Sequence, residues 1–170
     1  MARYPRSRIG RAPSSAQRQG VPIISTMIGS MAPLLPVVAT APVMPPWGLQ
    51  VLIAWRMLHR NLWSVWMGLP LGMFDDIFSG QPLGSAMMLW TLALLGLDLL
   101  DRRMVWRDFR QEWGIAGGLI VAVLLIQLLI SYASGGATNP LLLVPQMLVS
   151  ILAFPLVARI CAILDDWRLG

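Results

Sequence analysis

The chain has 170 residues, 56% hydrophobic and only 12% charged, which is too apolar for a soluble domain of this size. Its net charge of +5 comes from 13 arginines and no lysine. The arginines are spread along the chain between apolar runs rather than gathered on one soluble face, which argues against a nucleic-acid partner and for an integral membrane protein.

Residues 1–20 hold Arg, Ser, Gln, Gly and Pro with few large apolar side chains, and read as a disordered basic arm. Its arginines suit contact with anionic membrane lipids. Residues 21–163 carry the membrane domain and 164–170 a short tail. Six spans are expected, at about 21–43, 47–58, 62–78, 82–100, 115–133 and 141–158. Together they form one all-α bundle.

The first span is crowded by Pro22, Pro33, Pro36 and Pro42, with Pro45 and Pro46 after it. Each interior proline removes a backbone bond, so a broken or kinked helix packed against protein is expected. A cleaved signal peptide ending near Ala39-Thr40-Ala41 is the competing reading. The second span is short. Twelve residues make about 18 Å of helix against a hydrocarbon core of about 30 Å.

The third span carries the most informative stretch, Gly68 to Gly84, GLPLGMFDDIFSGQPLG. A carboxylate in hydrocarbon costs roughly 2.5–3.5 kcal/mol on insertion scales, so Asp75 and Asp76 need an explanation. Helical spacing puts Gly68, Gly72, Asp75, Asp76 and Ser79 on one face. Gly68 and Gly72 form a small-xxx-small step that lets another helix approach closely. Pro70 inside it favours a kink. Gly80 suits the residue after a helix end, and Pro82 the first residue of the next helix. Gly80 and Gly84 repeat the small-xxx-small spacing. The third and fourth spans therefore form a tight hairpin, with the acids one turn inside its tip. Asp75 is read as interfacial. Asp76 is read as a buried packing or partner-contact residue, either protonated or bonded to Ser, Thr, Asn or backbone groups. A proton relay or ion site is the alternative.

Beyond the fourth span, Asp98, Asp101, Asp108 and Glu112 alternate with Arg102, Arg103, Arg107 and Arg110 and read as solvated pairs, with Trp106 and Trp113 as interfacial anchors. Gly114 and Gly118 form another close-approach step, and Gln127 and Gln146 suit interhelical hydrogen bonds. Asp165, Asp166, Trp167 and Arg168 end the chain in the same solvated manner.

Six crossings place every arginine on one side, which the positive-inside rule makes the cytoplasm, with both termini there. Cys161 and His59 stand alone, so no intrachain disulfide or Cys/His metal site is expected. No phosphate loop, nucleophile elbow or zinc-protease motif is present; no catalytic residue and no cofactor is assigned.

The pattern Gly68-x-x-x-Gly72-x-x-x-Asp76-x-x-Ser79-Gly80-x-x-Leu83-Gly84 resembles MreD, the bacterial rod shape-determining membrane protein family. Chain size, basic N-terminus and six apolar segments extend the resemblance over most of the chain. Asp76, not Asp75, falls on the family's aspartate position. The resemblance implies a non-enzymatic scaffold in the inner membrane. Its partners would be an MreC-like protein, RodA with its class B transpeptidase, and indirectly the MreB filament, all serving side-wall peptidoglycan synthesis. It also implies a six-helix fold similar to the substrate-binding subunits of energy-coupling-factor vitamin transporters. A small-molecule-binding subunit of that kind is the alternative function. The residues singled out for packing or partner contact are Gly68, Gly72, Asp76, Ser79, Gly80, Leu83 and Gly84.

Overall fold

A computed structural model describes residues 15–34, 44–80, 82–103, 108–135 and 140–169. Six α-helices account for most of them: α1 Ser15–Ser30, α2 Trp47–Leu58, α3 Gly68–Ser79, α4 Ser85–Arg103, α5 Phe109–Ala133 and α6 Leu143–Leu169. Short 3-10 turns follow α1 at Ala32–Leu34 and precede α3 and α6 at Val65–Met67 and Pro140–Leu142. No strand occurs among the described residues.

Helix α2 is the centre of the bundle. It is apolar nearly all round, the pattern of a fully buried helix. Leu49, Leu52, Ile53, Ala54 and Trp55 are buried. It packs on α1, α6, α4 and α5, while α3 packs mainly on α4. The outward faces carry large apolar side chains instead of charges. Met88, Leu92, Leu95 and Leu99 form such a stripe on α4, and Leu148, Leu152 and Leu156 on α6. Helices α5 and α6 are long and apolar enough to cross a membrane.

Several boundaries differ from expectation for local physical reasons. Helix α1 begins at Ser15, so residues 15–20 of the expected arm are helical. It stops at Ser30, before Pro33, and the chain turns there through Ala32–Leu34. Pro36 and Pro42 lie outside the described residues. Pro22 sits within α1, and its carbonyl accepts the hydroxyls of Ser25 at 3.0 Å and Thr26 at 2.8 Å. Helix α3 starts at Gly68, not near residue 62, because His59 and Ser64 are extended and Val65–Met67 forms a 3-10 turn. Pro70 consequently falls in the first turn, where no intrahelical N–H bond is needed, and the expected kink has no cause. The tail is helical to Leu169, and Asp165 is buried rather than solvated.

Candidate functional site

The 68–84 stretch folds as the α3–α4 hairpin. Helix α3 ends on Gly80, whose φ of 65° is left-handed and favours glycine. The turn continues through Pro82 and Leu83 to Gly84 at φ 95°. Ser85 N–H donates to the Pro82 carbonyl at 3.0 Å, so α4 begins three residues later than a first-turn Pro82 would place it. Gly80 and Gly84 are thus turn glycines, not a packing step, and a Cβ on either would meet nothing within 4 Å.

The other pair does pack. A Cβ on Gly68 would lie 2.7 Å from the Cα and N of Thr91. One on Gly72 would lie 2.6 Å from the Ala86 carbonyl oxygen and 2.7 Å from Met87 Cα. The two glycines therefore let the α3 and α4 backbones touch along a full turn.

That approach delivers Asp76 to the start of α4. It is only 3% exposed. Its Oδ2 accepts the N–H of Gly84 at 2.8 Å and, more weakly, of Met87 at 3.4 Å. Its Oδ1 accepts the N–H of Ala86 at 2.9 Å and the Ser85 hydroxyl at 3.1 Å. The first N–H groups of a helix have no partner within it, and its dipole favours negative charge there. Asp76 supplies that cap from the neighbouring helix, so its partners are backbone N–H groups and the Ser85 hydroxyl, two of the options open from the sequence.

Asp75 points elsewhere, into the junction of α1, α2 and α4. Ser30 is the side chain it faces, electrostatically and without a well-formed bond at Ser30 Oγ. Gly48, at the start of α2, lies against the Ser30 hydroxyl. A Cβ there would also come within 3.0 Å of Trp90 and 3.1 Å of Asp75 Oδ1. Asp75 is thus half-buried among helices rather than simply interfacial. Ser79 closes α3 with a buried hydroxyl that finds no hydrogen-bond acceptor. Leu83 projects from the tip, 82% exposed.

The opposite end of the bundle is held by ion pairs. Arg56, 4% exposed, reaches from α2 to Asp101 at 2.8 Å and Asp98 at 3.6 Å on α4. Arg102 also binds Asp98, at 2.9 Å. His59 meets Asp165 of α6 at 2.8 Å, and Arg168 meets the same carboxylate at 2.6 Å. Arg168 also lies 5.3 Å from the ring centre of Trp55. Asp98 and Asp101 therefore pair between helices, and Asp165 pairs with His59 just beyond α2, where solvated surface pairs were expected.

Gln146 of α6 donates to the Met44 carbonyl at 2.8 Å, in the connection before α2 and not on a helix as expected. Gln50, fully buried on α2 and missed from the sequence, donates to the Ser150 carbonyl at 3.1 Å. The signal was present: Gln50 and Arg56 are polar residues in an apolar run, the same anomaly that marked Asp76. The Gly114/Gly118 step faces open space; a Cβ on Gly117 instead would meet Ile151 at 3.6 Å. Trp106 lies outside the described residues, while Trp113 donates to the Ile151 carbonyl at 2.9 Å. Among the described residues no group of three His, Cys, Asp or Glu is placed to hold a metal ion.

An all-helical bundle with apolar side chains turned outward defines a helical membrane protein, and its central site is a packing element in which glycines and a capping carboxylate join two helices. The family described as rod shape-determining protein MreD matches residues 19–164, and the chain belongs to that family. No curated protein and no solved structure matches it.

Proposed function

We propose that the chain is a multi-pass scaffold subunit of the bacterial rod complex in the inner membrane, docking an MreC-like protein and the RodA–class B transpeptidase pair. The MreB filament is then reached indirectly. Membership of the MreD family supports the role in rod shape. The internal use of Asp76 carries the rest of the reading. Its two oxygens are taken up by four donors at the start of α4, so it stiffens a hairpin. That hairpin presents Leu83 and the apolar side chains Met73 and Ile77 to its surroundings.

In this reading the bundle crosses the membrane six times, with the ion-paired end and both termini cytoplasmic. The gathering of Arg56, Arg60, Arg102 and Arg168 at one end supports that orientation. A six-helix organisation like that of energy-coupling-factor substrate-binding subunits is compatible with the helix count.

The test is complementation in rod-shaped cells depleted of their own MreD-family protein. Leu83→Glu at normal protein level should reduce co-purification of the MreC-like partner and give rounded cells. Asp76→Ala and Gly72→Leu should do the same through loss of the hairpin. Normal rods with unchanged co-purification in all three would overturn the proposal.

A further inference from the structure

A second feature stands apart from the hairpin. At the ion-paired end, a cavity of about 540 Å³ opens between the start of α1, the α2–α3 connection and the end of α6. Its polar lining is Gln19, His59, Arg60, Asn61 and Arg168. Among the described residues, no carboxylate lines it. Every one of these side chains can donate a hydrogen bond, and two are permanent cations. Asp165 binds His59 and Arg168, and is not among the residues lining the cavity. The Arg168 side chain is 5% exposed, and its guanidinium, stacked by Trp55, is thereby preorganised. Among the described residues, the ion pairs around it join Arg56, Arg60, Arg102 and Arg168 to Asp98, Asp101 and Asp165.

The cavity is amphiphilic in shape. Gln19, Asn61 and Leu62 also line a neighbouring cavity of about 260 Å³, whose other walls include Trp63 and Met67. Trp63 is buried, and its indole N–H finds no hydrogen-bond acceptor in the protein. Trp66 and Trp167, next in sequence to the lining residues Met67 and Arg168, are 74% and 77% exposed. Exposed tryptophans mark the headgroup level of a bilayer.

We propose that the paired cavities bind the phosphate of an anionic lipid headgroup, with Arg60, Arg168 and Asn61 as donors and the Trp63–Met67 annex taking the start of the lipid's apolar part. The site rests on the membrane reading of the chain and is independent of the partners proposed above.

The experiment is thermal stability of the full chain in detergent, titrated with phosphatidylglycerol, phosphatidylcholine or inorganic phosphate. Phosphatidylglycerol should raise the melting temperature at lower concentration than phosphatidylcholine, and inorganic phosphate should not. Arg60→Gln, at an exposed position, should weaken that preference about five-fold, the worth of one arginine near anionic lipid. Arg168→Gln should weaken it further. Arg103→Gln, an exposed arginine outside the cavity, should weaken it less than Arg60→Gln and controls for diffuse attraction. Equal stabilisation by both lipids, or an unchanged preference in Arg60→Gln, would overturn the proposal. So would Arg103→Gln acting as strongly as Arg60→Gln. Stabilisation by inorganic phosphate equal to that by phosphatidylglycerol would overturn the lipid as the source while retaining a phosphate site.

Discussion

Asp76→Ala removes one carboxylate and strands four donors at a buried helix start. Loss of a helix cap costs about 1 kcal/mol, and up to 2 in favourable cases. The N–H groups of Gly84 and Ala86, bonded at 2.8 and 2.9 Å, lose their acceptor on the buried side of the hairpin. Each orphaned buried donor costs about 1–3 kcal/mol, though water reaching the tip reduces this. The sum expected is about 3 kcal/mol. For a domain of this size a loss of 1 kcal/mol lowers the melting point by roughly 2–4 °C, so the shift should be about 6–12 °C. Asp76→Asn offers one acceptor oxygen in place of two and should fall by roughly half as much. Circular dichroism or fluorescence melting of the purified protein in one detergent measures both. A drop under about 2 °C for Asp76→Ala would refute the capping account. So would an asparagine variant as unstable as the alanine, since acceptor number would then not be what matters.

Gly72→Ala should destabilise by about 1–3 kcal/mol, because its Cβ meets the Ala86–Met87 backbone, which cannot rotate away. Gly118→Ala, in open space on α5, should be neutral or stabilising by up to about 1 kcal/mol; the same melting assay separates the two. Arg56→Ala breaks a buried pair and should cost about 3–5 kcal/mol, seen as loss of folded protein in membranes. The double variant Arg56→Met with Asp101→Leu should recover part of that, since the penalty lies in the stranded charge.

The helices were legible where apolar runs are long: α2 matches its expected bounds, and α5 and α6 extend theirs toward the charged ends. The start of α3 was not, because nothing local announces that His59 and Ser64 are extended. The hairpin was readable from Gly68, Gly72 and Asp76, since a glycine step and a carboxylate each carry a cost that only close packing explains. Small-residue spacing alone misled at Gly80/Gly84 and Gly114/Gly118. Spacing says that an approach is allowed, and only the neighbouring helix decides whether it happens. The ion-paired end was illegible for a related reason. Asp98 and Asp165 have arginines close in sequence, which hid their partners Arg56 on α2 and His59 just after it.

The central helix carries a consequence for biogenesis. Gln50 bonds Ser150, 100 residues later, and His59 meets Asp165, 106 residues later. Arg56 waits for Asp98 and Asp101. The helix that forms the middle of the bundle is thus synthesised early with Gln50 and Arg56 unmatched, though Trp55 already meets Ser25 of α1, and is completed only when the last helix emerges. Until then it is a short, polar-bearing segment dependent on temporary shelter. Assembly of this chain is therefore an end-to-start closure, with α6 as the piece that locks it.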